Sequence, residues 1–517
     1  MSQTNRIDLA TGAPEGIVQA HVCIVGAGAA GIFLALQLAR KGKSVVLIEA
    51  GPASVIDTNG IGFEPVFTVD DYPGATIGRY FGMGGSTGRW GGLLIPYTRH
   101  DLRCDFCAGV WDHIVDCVER HTPMVLRQLG YRKGSDFADY ARQKLGSFAD
   151  ILAHAGLDVQ ASLLLPYLRK NLLCLLSEIP KSKPQPRVFF NAVAKDWSVQ
   201  GGQDGMARLA GLVAVSRNRN SMTVTAGKYI LAAGAIESTR ILLEIDQSGS
   251  QSILSKSSAP GCFLADHLSL SIADVAVNDS ETAANLFAYR FDGAWMRGIR
   301  LLECRPANNP PAFAHFDFEM ENAGFKLAKE LLWAVQGRHL PVLTAKSVAA
   351  GLGDLMKLAY HQYIRSRLYI PKNSTIYLQL DMEQHPVREN RISLSPLRDE
   401  YGRQRAEISW HISDQDMVSL SEIAGRLLQR WPGRAVGLPD LIPRELGTIN
   451  SKPYDAYHPV GTCRMGEDDE AVVDLNLKVR GIENIWVVST GVFPGAGTAN
   501  PTFSMLCLAN ELVDQFD

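Results

Sequence analysis

A chain of 517 residues, 46% of them hydrophobic, is long enough for two or three domains and has ample apolar content to bury their cores. Its formal net charge of -3 gives the chain as a whole no general attraction to nucleic acid or an anionic membrane, which leaves only local basic patches for such contacts. Nine cysteines, an odd number scattered along the chain, argue for reduced thiols in a cytoplasmic protein, and the opening residues lack the basic-then-apolar pattern of a secretory signal.

The first periodic stretch runs from Val22 to Gly51. Val22 to Val25 is an apolar run suited to a buried parallel strand, and it leads into Gly26-x-Gly28-x-x-Gly31, with Ala29 and Ala30 between the last two glycines. The first glycine permits a tight turn, the second lets a pyrophosphate approach the backbone, and the third lets the helix lie close to the strand. The helix N-terminus then offers free N–H groups to phosphates. Ser44 to Ile48 restores the strand pattern, and Glu49 at its end is placed to accept both hydroxyls of an adenosine ribose. Strand, helix, strand and acid in register predict dinucleotide binding. Which dinucleotide stays open on these residues alone. Val22 to Ala39 carries no charge over 18 residues, but three glycines at fingerprint spacing favour a nucleotide fold over a membrane span.

Beyond Gly51 the chain becomes loop-like until Gly82 to Gly92, which is too glycine-dense for a helix or a central strand. Trp90 within it favours packing against something large and flat. Cys104-x-x-Cys107, with His113, Cys117 and His121 nearby, lacks a second ligand pair at motif spacing, and no metal is expected. Residues 109 to 176 read mostly as helix, clearest over His113 to Leu129 and Phe137 to Ala155. Strands are predicted over Arg187 to Val193, Leu209 to Val215, Ser221 to Ala226 and Lys228 to Leu231. The last of these enters a second small-residue turn, Ala232 to Arg240, which returns to the first sheet and makes the nucleotide domain discontinuous.

Alternating segments over Leu268 to Val277, Gly298 to Cys304, Ala312 to Met320, Ser374 to Asp381, Arg391 to Ser395 and Arg405 to His411 predict an antiparallel sheet. Between Asn322 and Lys372 a helical insertion holds eight Lys/Arg against two acids, an excess of +6. A solvated cap face accounts for it; membrane-surface docking, partner docking and recognition of an anionic substrate are the sharper readings. Near the C-terminus a short strand, Ile485 to Val488, a glycine-rich loop, Ser489 to Asn500, and a helix opened by Pro501 repeat the arrangement of a cofactor-facing turn. His458, before a Pro and a Gly-Thr pair, is held in a loop.

Taken in order, GAGAAG with IEAG, GGSTGRWGG, ILAAGAIESTRILL, HPVGTCRMG, VVDLNLKVRGIENIWVVS and ANPTFSMLCLA resemble the glucose-methanol-choline (GMC) oxidoreductases. Residues 100 to 185 and 278 to 372 match only loosely. The resemblance implies that the dinucleotide is FAD. It also implies an α/β fold: a discontinuous Rossmann-like FAD-binding domain (19–100, 186–266 and 453–517), and a substrate-binding and cap domain (101–185 and 267–452) with an antiparallel sheet and a helical cap.

Carried over by position, His458 matches the catalytic histidine and Asn500 its partner. Removing a hydroxyl proton while hydride leaves the carbinol carbon needs a base, which an imidazole can be; an amide can only orient the same oxygen. Gly84, Gly85, Ser86 and Trp90 match the segment lying against the flavin and pyrophosphate. Gly88 and Arg89 stand where some members carry a covalently attached histidine, so FAD is expected to be non-covalent. Val193 matches an adenine-side backbone contact, and Gly491 and Val492, with Pro501 and Thr502, match the flavin end. Ser489-Thr490-Gly491 departs from the acidic residue many members have after the final strand.

The activity implied is FAD-dependent oxidation of an alcohol, with O2 or another electron acceptor. GGSTGRWGG looks closer to the pyranose-oxidase and sugar-dehydrogenase-like branches, which implies a sugar-like or polyol hydroxyl. A redox-neutral or desaturating enzyme of the same fold, resembling hydroxynitrile lyases, is the alternative. A non-enzymatic flavin protein that docks a partner is a third.

Overall fold

The computed structural model describes residues 5–516 except 103–106, 135, 203–205, 250–251, 305–308, 320–326, 328–344, 372–373 and 446–451. Cys104 and much of the basic insertion lie outside the described residues.

In chain order the elements that position the cleft are β1 (Arg6–Asp8), β2 (Ile17–Val25), α1 (Ala29–Arg40), β3 (Val45–Ile48), β4 (Val66–Phe67), β5 (Leu93–Leu94), α2 (Ala108–Gln128) and β6 (Leu157–Leu164). They continue with β7 (Arg187–Phe190), β8 (Val193–Gly201), β9 (Ala207–Val215), β10 (Ser221–Leu231), α3 (Gly234–Ser248), β11 (His267–Val275), β12 (Arg290–Asp292), β13 (Trp295–Glu303), β14 (Ala312–Glu319), α4 (Ala345–Tyr363) and β15 (Thr375–Glu383). The chain closes with β16 (Arg391–Arg398), β17 (Gln404–Ser409), β18 (Leu441–Pro443), β19 (Tyr454–Asp455), β20 (Ile485–Val487) and α5 (Pro501–Asp514).

One sheet runs β1-β7-β3-β2-β10-β9-β8, with β20 beside β10. From β1 to β10 and β20 the pairing is parallel, and only β9 and β8 turn antiparallel. Val22 to Val25 are buried on both faces, as a central parallel strand covered by helices must be. Every residue of α1 from Ala30 to Ala39 is buried, because the helix is enclosed between the sheet and α5. A second sheet, β18-β11-β15-β14-β13-β6-β5 with β12 and β19 attached, is antiparallel, and a small third one joins β16, β17 and β4.

Several boundaries differ from those expected. The strand predicted over Arg187 to Val193 ends at Phe190, because Asn191 turns the chain at a φ of 50°, and Val193 opens β8 instead. The helix expected over Phe137 to Ala155 is two helices, separated at Gly146, whose φ is 58°. Leu157 to Leu164, inside the region read mostly as helix, is a strand of the second sheet. Ser221 to Leu231 is one strand, extended through Gly227.

Cys107, His113, Cys117 and His121 do not form one site: Arg464 donates to Cys107 Sγ, His113 Nε2 meets the Leu475 carbonyl, and Cys117 and His121 face Glu511. His121 is committed on both nitrogens. Asn510 donates to Nδ1 at 2.9 Å, so Nε2 carries the hydrogen and gives it to Glu511. Gln37 donates to Asn510, so this chain of polar groups clamps α1, α5 and α2 together.

The glycines of the first turn have separable duties. A Cβ on Gly31 would lie 1.9 Å from the Gly26 carbonyl oxygen, whereas one on Gly28 would meet no protein atom within 4 Å. Gly31→Ala is therefore expected to destabilise the fold by more than about 3 kcal/mol, and Gly28→Ala to melt near the wild-type temperature while retaining less cofactor. Thermal unfolding and flavin content of the two purified variants check the contrast.

Candidate active site

Three backbones converge at the C-terminal ends of β2 and β10. A Cβ on Gly26 would meet the Ala232 carbonyl oxygen at 2.5 Å, one on Gly51 the Gly82 nitrogen at 2.4 Å, and one on Gly85 the Gly28 Cα at 3.0 Å. Only chains without side chains at these points can close so tightly, and beside them opens a cleft of about 1300 Å3, its open mouth included. Gly26, Gly28, Ala29, Ala30, Glu49, Gly85, Ser86, Trp90, Pro501 and Thr502 line it. Gly31 sits behind the turn, and Gly84 packs against Asn171.

Val193 is buried beside Phe63 and Phe81, while its neighbours Ala192 and Ala194 face the cleft. Gly491 and Val492 do not line the cleft; their carbonyls accept from Cys463 and Met465 N–H at 2.8 Å each. Ser489 and Thr490 form that wall in their place. Trp90 is fixed by donating from Nε1 to the Lys170 carbonyl at 2.7 Å.

Glu49 accepts from the Ala27, Gly51 and Gly82 N–H groups at 2.8, 2.9 and 2.8 Å. Burial pushes its carboxyl up, and these three bonds oppose the shift. A carboxylate has about four acceptor positions. One thus remains for a ligand hydroxyl, rather than the two assigned from sequence. The cleft also holds groups that sequence reasoning missed. Glu237 accepts from Arg240 at 2.8 Å and Arg403 at 3.1 Å and pairs with Arg79 at 3.5 Å. Burial opposes its charge, but the three guanidinium groups prevail and hold the carboxyl low. Glu237 stands in the second small-residue turn, the signal that could have found it; Arg79 and Arg403 stand in no motif.

A dinucleotide fits these residues. The N-terminus of α1 faces the cleft through Ala29 and Ala30, bare backbone lines the turn, Glu49 keeps an acceptor position, and the buried Ser489 Oγ has no hydrogen-bond partner among the described residues.

At the other end of the cleft stands His458. Its loop is bound on both sides: Val460 and Ala265 exchange backbone hydrogen bonds, Gly461 N–H donates to the Phe493 carbonyl, and Thr490 Oγ1 donates to the Pro459 carbonyl. Tyr457, just before, holds a left-handed φ of 63°, backbone strain of the kind found at functional sites. The ring of His458 is held by its neighbours. His267 Nε2 faces the Gly497 carbonyl at 2.9 Å and must donate to it, which leaves Nδ1 of a neutral His267 as an acceptor. His458 Nδ1 lies 3.1 Å from that atom and therefore carries the hydrogen between them. His458 Nε2 is then a bare lone pair, towards which Asn500 Nδ2 donates at 2.9 Å. Burial, reinforced by His267, draws His458 down to about 3, so it is neutral in this arrangement. Burial lowers His267 as well.

Beneath both histidines lies Asp266, which accepts from the His267 and His458 N–H groups and from the Tyr72 hydroxyl. Burial and the nearby Asp455 push it up to about 8. The face of the second sheet that carries His267 continues with polar side chains. Ser269 donates to Asp381, Ser271 donates to Gln379 at 2.7 Å, and His315 pairs with Asp381 at 3.2 Å. Phe313 lies edge-on to His267 in the same face.

Two segments that build the cleft match family models: residues 21–61 match the one described as FAD dependent oxidoreductase, and residues 386–509 the one described as GMC oxidoreductase. Over residues 386–509 the chain is similar to the GMC oxidoreductases. Its fold is similar to that of pyridoxine 4-oxidase from Mesorbium loti (TM-score 0.58, 18% identity, covering 97% of this chain and 99% of that one). It is also similar to that of Aspergillus oryzae RIB40 formate oxidase (TM-score 0.56, 16% identity, 97% and 98% covered). In sequence, it is 45% identical over 85 residues to alcohol dehydrogenase [acceptor] of Pseudomonas putida, covering 16% of this chain and 15% of that one. It is 43% identical over 106 residues to oxygen-dependent choline dehydrogenase of Chromohalobacter salexigens, covering 20% and 19%. These alignments thus span less than a fifth of either relative's length.

The cofactor is FAD. With Gly88 and Arg89 in place of a linking histidine, acid precipitation is expected to release the yellow colour into the supernatant, where absorbance measures it. A second expectation concerns pH. Between the unfolded value, near 4, and about 8, the folded chain keeps on Asp266 a proton that the unfolded chain has lost, so stability falls as pH rises through that window. Asp266→Asn preserves an acceptor for both N–H groups and can donate to Tyr72, and should flatten the decline of the thermal midpoint up to about pH 8, read by calorimetry across the range.

Proposed function

We propose that the chain oxidises an alcohol to a carbonyl compound, with His458 as the base. The observation that carries this reading is the hydrogen-bond chain from the Gly497 carbonyl through His267 to His458, which leaves Nε2 unprotonated in the cleft. FAD, when bound, would supply the hydride acceptor and the route by which electrons reach O2 or another acceptor.

The protein's own work is proton transfer and orientation. His458 Nε2 takes the hydroxyl proton as the C–H bond of the carbinol breaks, and its Nδ1–H is already engaged, so the ring need not turn. Asn500 cannot act as base; its amide hydrogen-bonds at the same lone pair and can pass to the substrate oxygen, fixing the direction of the C–H bond. The Glu49 acceptor position, the Ser489 hydroxyl and the α1 N-terminus would hold FAD without a covalent bond.

The substrate proposed is a sugar-like or polyol alcohol. The support for it is the resemblance of GGSTGRWGG to the sugar-oxidising branches, together with a polar sheet face beside His267, where Ser269, Ser271, Gln379, Asp381 and His315 are paired with one another. On this reading 19–100, 186–266 and 453–517 form the FAD-binding unit, and 101–185 and 267–452 the substrate unit.

His458→Ala is expected to retain FAD while anaerobic flavin bleaching by a responsive alcohol, found in a screen of sugars, aminocyclitols and polyols, slows by about 10^2- to 10^4-fold. Stopped-flow absorbance measures it; reduction at the wild-type rate would remove His458 from the mechanism.

A further inference from the structure

We propose that the C-terminal half of α4 lies on an anionic bilayer surface, an interaction independent of the reaction. Met356, Tyr360, Tyr363 and Ile364 are 64%, 49%, 77% and 68% exposed. Tyr360 and Tyr363, four and seven residues after Met356, fall with it on one side of α4, and Ile364 follows in the turn that ends it. No other stretch of nine described residues holds more than two large exposed hydrophobic side chains. Single exposed hydrophobics are ordinary, whereas a row on one helix face marks a surface that meets something apolar.

What it meets follows from charge. Residues 322 to 372 carry +6 in a chain whose total is -3. Two of these cations stand beside the apolar row: the Arg365 guanidinium is 6.0 Å from the Tyr360 ring, and the exposed Lys357 ammonium, which also pairs with Asp354 at 3.4 Å, is 5.8 Å from that of Tyr369. Apolar side chains flanked by lysine and arginine suit acyl chains beneath anionic headgroups. Two copies of this face would bring like charges together, which disfavours self-association. No described helix is long and apolar enough to cross a membrane, so the helix would lie along the surface.

The face is also anchored to the fold. Phe291 N–H donates to the Ser366 carbonyl at 2.8 Å, Leu368 N–H to the Tyr289 carbonyl at 2.7 Å, and Arg367 to the Asn285 carbonyl at 3.2 Å. A surface held this way need not fold on contact.

The test is co-sedimentation of the full FAD-loaded chain with phosphatidylcholine vesicles, with and without about 30% phosphatidylglycerol, at about 50 and about 500 mM salt. Binding is expected only to the anionic vesicles, falling at least about fivefold at the higher salt. Combined Met356→Ser, Tyr360→Ser, Tyr363→Ser and Ile364→Ser substitutions, and separately Lys357→Glu with Arg365→Glu, should each abolish it with flavin content unchanged. Val277→Ser, at an exposed residue far along the chain, should leave binding intact. Absence of binding to anionic vesicles, equal binding to neutral ones, or unchanged binding by both variants would overturn the proposal. A dimer seen by light scattering, lost in the serine variant and without vesicle binding, would overturn it in favour of self-association.

Discussion

The architecture depends on backbone approaching backbone with nothing between. At Gly26, Gly31, Gly51 and Gly85 an added Cβ would lie 1.9 to 3.0 Å from another segment's main chain, in each case one brought there by the parallel sheet or by the loop from Gly82. These contacts set the distance between α1 and β2, and between the first turn and the Ala232 turn. They also hold the glycine-rich loop over both. Because the N-terminus of α1 is aimed by the same contacts, the cleft and the helix end that would face phosphates are one construction.

The reactive end is built on a different principle. There the alignment rests on one buried carboxyl, Asp266, which accepts the N–H groups of two histidines that are 191 residues apart in the chain. Tyr72 and the Ala265–Val460 bridge complete a clamp between the start of β11 in the second sheet and the loop after β19. The histidine rings are then ordered by a one-directional series of donors ending at the Gly497 carbonyl. Reversing any member of that series would put a hydrogen on His458 Nε2. Backbone carbonyl placement thus fixes which nitrogen is basic, and does so by tautomer rather than by charge.

The difference between the two ends explains what was legible in the amino-acid sequence. Glycine at Gly26, Gly28 and Gly31 reports a local demand of turn and approach, so the first strand, helix and acid could be read in place. His458 and Asn500 were proposed through motifs that resemble those of a family, and the structure sets their side chains 2.9 Å apart. His267 was not found, because its importance comes from standing at the start of β11 opposite Glu383, a register that no local pattern specifies. Val193 was placed at the end of a strand because Asn191 looks like any polar residue until its left-handed turn is seen. Leu157 to Leu164 was missed because LDVQASLL follows helical sequence directly and alternates poorly; six of its eight residues are buried in the sheet. Gly491 and Val492 lie one step beyond the cleft because their carbonyls are taken by the loop of Cys463 to Met465, a long-range pairing.

Charge placement along the cleft follows from the same division. The end near the first turn has buried ion pairs in near balance, with Glu237 among Arg79, Arg240 and Arg403 and with Arg240 and Arg403 further paired to Glu244 and Asp399. Removing one partner from such a set leaves a buried charge uncompensated, so its members resist substitution one at a time. The end at His458 is instead kept without a net imidazolium: burial depresses both histidines, and the carboxyl beneath them is held towards its protonated form. A neutral, desolvated base is poised to gain a proton only when the hydroxyl it faces is losing one. The low-dielectric setting that makes a charged His458 costly in the resting protein also strengthens its attraction for the negative oxygen developing beside it. In the proposed role of His458 as base, burial would set the timing of the proton transfer and the tautomer chain its direction.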